Sequence, residues 1–334
     1  MGARFGIGLQ SDKRVADYER LAAAAESYGF DVVSVFGDLY YQPPIVPLLA
    51  IARATSTVEL GPACLNPFTV HPVEIAGQIA ALDEASGGRA YLGLARGSWL
   101  AELGVDQRGG ADAVAEAARV VAALLAGDTG GVDGRRFRLP AGAALRDRPP
   151  RPRVPLLVGT WGPRLAAHAG ALADEVKIGG CANPAMVPVM RGWIDAGSVA
   201  RAPSRPRTRI AVGAVTVVDE DARAARARAR EEVAMYLEVV GGLDPTVEIP
   251  TGLLDAIGAR LRAGDRRGAG ALVPDELLGR FAFAGGPDDV AAHAARLLDA
   301  GADRVEFGTP HGLSDAEGVR LLGERVLPAL RDRA

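Results

Sequence analysis

Residues 58–72 read VELGPACLNPFTVHP, and this stretch predicts the fold of the whole chain. Its β-branched and apolar start is typical of a buried strand, while Gly61-Pro62 and Asn66-Pro67 mark turns. A new apolar helical pattern begins at Val73, directly after His71-Pro72. The stretch therefore forms one unit of strand, loop and helix. In α/β barrels the loop that follows a strand is where the chemistry takes place.

The same alternation continues on both sides of this unit. Short apolar segments rich in β-branched residues are predicted as strands, and the periodic segments between them as helices. The predicted strands cover residues 4–9, 30–36, 58–64, 90–95, 154–158, 174–178, 210–218 and 304–307. Eight buried strands joined by helices predict a parallel α/β fold, a TIM-like (β/α)8 barrel with insertion segments. An open doubly wound sheet is the second possibility, although no G-x-G-x-x-G fingerprint follows the first strand.

Two segments depart from the alternation. Residues 127–153 are rich in Gly, Pro and Arg and are interpreted as an insertion, with part of a small hairpin at 136–139. A second insertion of extra helices is predicted at about 241–280, and both would shape a substrate pocket. The domain prediction is one barrel domain over residues 1–334.

Bulk composition limits the classes of function. The chain has 334 residues, 49% of them hydrophobic, and a formal net charge of −3. This charge gives no general attraction to nucleic acid or to an anionic membrane surface. No apolar run reaches membrane-spanning length, and no signal peptide is recognised, so a cytoplasmic enzyme is expected. Two cysteines and four histidines without ligand spacing predict no metal site.

Four predicted loops at strand ends carry candidate chemistry. Asp38 could orient a ring N–H or act as an acid or base, or it could be a turn residue. Cys64 is expected to be a buried thiol rather than a nucleophile, and His71 a structural residue. Trp99 could line a flat ligand or cover the core. Residues 159–163 form a small-residue turn before a helix, which suits either an anion site or an ordinary turn.

The order of four segments carries a family resemblance. They read YERLAAAAESYGFDVVSVFGD, LGPACLNPFTVHPVEIAGQIAALDEASGGRAYLGLARGSW, VPLLVGTWGPRLAAHAGALADEVKIGG and FAFAGGPDDVAAHAARLLDAGADRVEFG. Together they resemble the bacterial luciferase-like superfamily over nearly the whole chain. Within it, the chain is most similar to deazaflavin-dependent reductases of the methylenetetrahydromethanopterin reductase type.

The resemblance implies a cofactor across the carboxyl ends of the strands, either the 8-hydroxy-5-deazaflavin coenzyme F420 or FMN. It also implies a bulge after the third strand, with a cis peptide bond between Ala63 and Cys64. A homodimer or higher homo-oligomer and a small-molecule substrate are implied as well, with no nucleic-acid or membrane partner. The predicted catalytic residues are Asp38 and Tyr40. The predicted cofactor-binding residues are Asp38, Ala63, Cys64, Leu65, Asn66, Gly97, Gly159, Thr160, Trp161, Gly162, Pro163 and Lys177.

Two departures from the family pattern concern the proton donor. Leu39 stands where several deazaflavin-dependent members have histidine, and Ser98 follows Gly97 where an acidic residue is frequent. Asp38, Tyr40 or a water molecule could take that role. The function predicted from the resemblance is hydride transfer between coenzyme F420 and a C=N, C=C or C=O group. An FMN-dependent monooxygenase and a non-catalytic flavin-binding barrel are the two alternatives.

Overall fold

A computed structural model describes residues 2–147, 151 and 153–333. In this part of the chain all strand pairs are parallel except for one short antiparallel bridge in an insertion. The strands are β1 (Arg4–Leu9), β2 (Val32–Val35), β3 (Glu59–Pro62), β4 (Leu92–Ala95), β5 (Leu156–Gly159), β6 (Glu175–Gly179), β7 (Arg209–Val218), β8 (Ala282–Gly285) and β9 (Arg304–His311). Their order is β3-β2-β1-β9-β7-β6-β5-β4, with β8 paired only to β7.

Eight of these strands close into a barrel. The two ends of the strand order, β3 and β4, are joined by the parallel bridges Leu60↔Ala90 and Leu65↔Leu94. The predicted (β/α)8 barrel is therefore confirmed, and the open sheet is wrong. Because the strands are parallel, all their carboxyl ends meet at one end of the barrel, which we call the mouth.

Helices surround the barrel and follow most strands. They are α1 (Val15–Ser27), α2 (Ile45–Ala54), α3 (Pro72–Ala85), α4 (Gly110–Ala126), α5 (Pro163–Leu172), α6 (Met186–Ser198), α7 (Ala222–Val240), α8 (Leu253–Arg262), α9 (Arg266–Ala271), α10 (Asp275–Phe281), α11 (Pro287–Asp299), α12 (Asp315–Leu321) and α13 (Leu327–Arg331). Between α12 and α13 the helical backbone continues as a π-type turn, Leu322–Val326. No helix within the described residues is long and apolar enough to cross a membrane.

The strand β8 was not predicted. Its sequence AFAG has no β-branched residue, and its four residues are fewer than a periodicity argument needs. It forms only because the carboxyl half of β7 extends beyond β6 and offers a free edge from Val215 to Val218. Tertiary pairing, rather than local sequence, decides this element.

Both predicted insertions pack onto the barrel. Within 127–153, residues 148–150 and 152 lie outside the described residues. The predicted hairpin is present as the antiparallel bridge Val132↔Leu139. Its turn is fastened to α4 by Glu116, whose carboxylate accepts the backbone N–H groups of residues 135–137 at 2.8–3.2 Å. In the second insertion, α8, α9 and α10 pack with α7 into a separate apolar cluster beside β8.

At the end opposite the mouth, Glu26 joins α1 to the turn before β3. Its carboxylate accepts the backbone N–H groups of Ser56, Thr57 and Val58 at 2.6–3.0 Å, and the hydroxyl of Thr57. Partial burial alone would raise the pKa of Glu26, but these donors outweigh it and lower the pKa to about 2. Glu26 therefore stabilises the folded state as a carboxylate.

We expect Glu26→Gln to lower the free energy of unfolding by about 1–2 kcal/mol at pH 7. The NH2 group of the glutamine would face backbone N–H groups that now donate to the carboxylate, and two donors cannot form a hydrogen bond. The folded pKa lies below the unfolded value of about 4.3, so the stabilisation is complete above that pH. It is lost as the pH falls through about 2. Urea unfolding at pH 7 and pH 3 measures both effects. Glu84→Gln, at an exposed position of α3, is the control, and an equal loss in both variants would contradict the assignment.

Candidate active site

The bulge after β3 lies between β2 and β4. Ala63 N donates to Val35 O at 2.8 Å, and Leu65 N donates to Gly93 O at 2.9 Å. The peptide bond between Ala63 and Cys64 is cis, as predicted. Leu65 is buried, whereas Ala63 and Cys64 keep some exposed surface. The bulge thus presents small apolar groups at one side of the mouth.

The Cys64 thiol points to β4 and β5 and packs against Tyr91 and Leu157. A Cβ atom added to Gly159 would lie 3.0 Å from Cys64 Sγ and 3.3 Å from Ala95 Cβ. Burial raises the pKa of the Cys64 thiol to about 12. A thiol with this pKa stays protonated, and so it is no nucleophile at neutral pH. The structure agrees with the interpretation of Cys64 as a packing residue.

Phe36, directly after β2, forms part of the floor of the mouth. A Cβ atom on Gly8 would lie 2.5 Å from the Phe36 ring, and one on Gly308 would lie 3.6 Å from it. Gly8 therefore makes the space in which the ring lies, and Gly308 borders it at an ordinary contact distance. Below the ring, Lys177 Nζ is 4.8 Å from the ring centroid and pairs with the buried carboxylate of Glu306. Lys177 is only 5% exposed, and its part in cofactor binding stays a prediction.

Both predicted catalytic residues lie in the loop after β2. Asp38 is exposed, and its Oδ2 accepts a hydrogen bond of 2.8 Å from Gln10 Nε2. Tyr40 has a positive φ of 67° and is 79% exposed, so its ring projects into the space outside the barrel. Leu39, between them, is half-buried. The loop offers one carboxylate and one phenol to a ligand at the mouth.

The loop after β4 packs against the bulge. Gly97 has φ +81°, and a Cβ atom there would lie 3.2 Å from the Asn66 side chain. Asn66 Oδ1 accepts the N–H groups of Phe68 and Thr69 at 3.1 and 3.0 Å. The oxygen of Asn66 therefore shapes its own turn, and its amide nitrogen is the group left for a ligand. Trp99 is 42% exposed with φ 58°.

The loop after β5 fits an anion. Thr160 Oγ1 accepts from Gly162 N at 3.0 Å, and Trp161 Nε1 donates to Gly179 O at 2.8 Å. Pro163 occupies the first turn of α5, and no side chain caps this helix end. The first-turn N–H groups and the helix dipole can therefore receive a phosphate. By contrast, the start of α3 is capped by His71, whose Nδ1 accepts from Val73 N, which confirms the structural interpretation of His71.

Sequence reasoning missed the loop after β1 and the carboxyl-terminal half of β9. Gln10, Ser11 and Thr309 meet Asp38 and Phe36 at the mouth through hydrogen bonds. Their positions one or two residues beyond the ends of the predicted strands 4–9 and 304–307 were the signal available. Among the described residues no group of three or more His, Cys, Asp or Glu side chains could hold a metal ion.

Comparisons with known proteins cover the whole barrel. A family model described as luciferase-like monooxygenase matches residues 2–304. The chain is 32% identical to 5,10-methylenetetrahydromethanopterin reductase of Archaeoglobus fulgidus, over 98% of this chain and 100% of that one. The structure of the coenzyme F420-dependent tetrahydromethanopterin reductase from Methanopyrus kandleri superposes with a TM-score of 0.88 at 26% identity, over 99% and 100% of the chains. An F420-dependent secondary alcohol dehydrogenase shares the fold, with a TM-score of 0.79 at 21% identity over 99% and 100% of the chains.

Proposed function

The chain belongs to the luciferase-like monooxygenase family, and from this premise we propose that it is an oxidoreductase dependent on coenzyme F420. Its reaction is hydride transfer between the reduced deazaflavin and a small organic acceptor with a C=N, C=C or C=O bond. Support comes from relatives whose names state a methylenetetrahydromethanopterin reductase activity and dependence on coenzyme F420. The homo-oligomeric state and cytoplasmic location belong to the same proposal.

One observation of the structure carries the proposal, namely the cradle between the bulge and β5. Gly159 has no side chain beside Cys64 and Ala95, where an added Cβ would lie 3.0 Å from Cys64 Sγ and 3.3 Å from Ala95 Cβ. The walls on this side are small and apolar, which suits the face of a flat ring. The uncapped start of α5 lies directly beyond Gly159 and suits the phosphate of the same molecule. Residues that bind an apolar ring and an anion side by side fit a deazaflavin.

When bound, the reduced deazaflavin supplies the hydride, and the residues of the chain orient it and handle protons. Ala63 and Cys64 back the ring, and the turn from Gly159 to Pro163 holds the phosphate. Asp38 lies in the loop after β2, next to the bulge, where Gly37 packs against the carbonyl group of Cys64. Its carboxylate can accept an N–H group of the ring or of the acceptor, or take a proton from it. Fixing both reactants against the barrel rim supplies most of the rate by orientation.

Equilibrium titration of the purified apo-protein with coenzyme F420 and with FMN tests the proposal. We expect saturable binding of coenzyme F420 and at least about 10-fold weaker binding of FMN, which corresponds to about 1.4 kcal/mol. Tight binding of FMN without binding of the deazaflavin would overturn the proposal and favour the monooxygenase alternative. Binding without any turnover on acceptors of all three bond types would favour a non-catalytic barrel.

We expect Asp38→Asn to lower kcat by about 100-fold, because positioned acid–base groups contribute roughly 10²–10⁴ to a rate. The amide keeps the shape of the side chain but can neither take a proton nor carry a charge. Steady-state kinetics and thermal unfolding measure the loss of rate and the integrity of the fold. Asp12→Asn removes another exposed carboxylate from the neighbouring loop and is the control. Unchanged turnover in Asp38→Asn would remove Asp38 from the catalytic set.

A further inference from the structure

Gln10 uses both polar atoms of its side chain at the mouth. Its Oε1 accepts the backbone N–H of Ser11 at 2.9 Å, and its Nε2 donates to Asp38 Oδ2 at 2.8 Å. The first bond assigns the amide orientation, because only the oxygen can accept from an N–H group. The amide nitrogen therefore has to face Asp38. A carboxylate oxygen is the acceptor that suits this donor best.

The backbone of Gln10 is held just as firmly. Its N–H donates to Thr309 Oγ1 at 3.0 Å, and its carbonyl oxygen accepts from the hydroxyl of Tyr18 at 2.9 Å. Tyr18 is fully buried in α1. Every polar group of Gln10 is thus engaged, with strand β9, helix α1, the next residue and Asp38. Because its other polar groups are fixed, Gln10 can hold the carboxylate of Asp38 in one place.

The neighbouring contacts join the loops after β1 and β2 into one unit. Ser11 is buried, and its hydroxyl donates to Phe36 O at 2.9 Å. The backbone N–H of Gln42 donates to Ser11 O at 3.2 Å and joins the two loops a second time. The backbone on both sides of the contact between Gln10 and Asp38 is therefore fixed relative to the barrel. The exposed carboxylate is held in place by a scaffold that reaches into the core.

We infer that Gln10 is a positioning residue that pins Asp38 Oδ2 and leaves Oδ1 as the oxygen presented to the ligand. This inference rests on the proposed function, in which Asp38 touches the cofactor or the acceptor. The amide hydrogen of Gln10 occupies one of the two lone pairs of Oδ2, so Oδ1 is the oxygen on which both lone pairs stay free of Gln10. The carboxylate consequently presents Oδ1 to the ligand in a fixed direction. An unpinned carboxylate would sample several rotamers in water and lose this alignment.

A double-mutant cycle with Gln10→Met and Asp38→Asn tests the inference by kinetics. Methionine keeps the length of the side chain but offers no N–H donor. We expect kcat to fall by about 10- to 100-fold in Gln10→Met, the cost of a misplaced group, while KM changes less than about 3-fold. In the Asp38→Asn background the same change is expected to lower kcat by less than about 2-fold, since Gln10 acts through Asp38.

Gln42→Met is the matched control, because Gln42 is a neighbouring glutamine whose amide bonds a backbone carbonyl instead of Asp38. We expect its kcat to stay within about 2-fold of the parent. Equal effects of Gln10→Met in both backgrounds would overturn the inference, as would an effect on KM alone. A loss of kcat in Gln42→Met equal to that in Gln10→Met would show general loosening of the loops and would also overturn it.

A structural measurement on the apo-protein separates this inference from the proposed function. Crystal structures of the parent and of Gln10→Met are compared at Asp38, with Thr309 and Phe36 as fixed references. We expect the Asp38 carboxylate to turn away or to take more than one conformer in the variant. An unchanged carboxylate would overturn the inference even if coenzyme F420 binds. A moved carboxylate in a protein that binds no coenzyme F420 would support the positioning role and reject only the proposed reaction.

Discussion

Replacing Arg304 by methionine is expected to lower the free energy of unfolding by about 3–5 kcal/mol, the cost of leaving buried charges without their partner. The Arg304 side chain is 1% exposed inside the barrel. Its Nη2 lies 2.8 Å from Glu175 Oε2, and its Nη1 lies 3.1 Å from Glu306 Oε2. The guanidinium is thus the cation between two buried carboxylates.

The second cation in the interior cannot replace it. Lys177 pairs with Glu306, which also accepts the Ser34 hydroxyl at 2.6 Å. Burial alone would raise the pKa of Glu306, but the charges of Lys177 and Arg304 outweigh burial and lower that pKa. Without Arg304, Glu306 keeps Lys177, but Glu175 keeps only the partly exposed Arg209 at 3.8 Å. Glu175 must then take up a proton or draw water into the barrel. Either outcome destabilises the folded state.

Urea unfolding at pH 7 measures the loss. Arg207→Met is the control, because Arg207 is 65% exposed and its ion pair with Asp303 is on the surface. We expect a change of less than about 1 kcal/mol there. The double variant Arg304→Met/Glu175→Met removes a cation and an anion together and should regain part of the stability. If Arg304→Met unfolds as easily as the control, the interior charges are dispensable.

The barrel could be predicted because the local sequence of each of its eight strands indicates a strand. Segments such as β2, with the sequence VVSV, are apolar and β-branched, and each is followed by a helical period. The residues of β8, which ends at Gly285, have no such preference for a strand. They form one only by pairing with the free edge of β7. The eight barrel strands were therefore predictable, whereas β8 was not, because it depends on an edge that exists only in the folded protein.

The candidate site was predictable where backbone chemistry marks it. The bulge at Ala63 and the turn at Gly159 contain small residues, with Gly and Pro at the strand ends. These residues predict turns, and the family resemblance points to the same two segments. Gln10 carries no such mark, because its role depends on hydrogen bonds to Asp38 and Thr309, which lie far from it in the chain. The burial of Lys177 could not be predicted either. The sequence does not indicate whether a charged side chain in a barrel strand points to solvent or, as here, to Glu306.

Replacing Gly159 by valine is expected to weaken the binding of coenzyme F420 at least 100-fold, about 2.7 kcal/mol. A glycine at the end of a strand can be required for two reasons, space or a positive φ. Gly159 lies in β5 and is not among the glycines with positive φ, so the second reason does not apply. The first reason, space, does apply, because the added Cβ would already lie 3.0 Å from Cys64 Sγ.

The direction in which this contact relaxes decides between a folding defect and a binding defect. Ala95 Cβ, 3.3 Å from the added atom, belongs to a paired strand and cannot move far. Cys64 lies on the bulge and borders the open mouth, so the thiol is the group that gives way. It moves into the cradle proposed for the ring. We therefore expect a loss of stability of only about 1 kcal/mol, at the low end for an overpacked site.

Fluorescence titration with coenzyme F420 and urea unfolding, applied to the same set of variants, separate the two effects. Gly159→Ala should show a smaller loss of affinity than Gly159→Val, because it adds one carbon where valine adds three. Adding Cys64→Ala to Gly159→Ala removes Sγ, the nearest atom, and should restore most of the affinity, while Cys64→Ala alone should change it little. This rescue follows only if the thiol transmits the clash to the cradle. Parallel losses of affinity and stability in all variants, without rescue, would make Gly159 a packing residue of the barrel and place the ring elsewhere at the mouth.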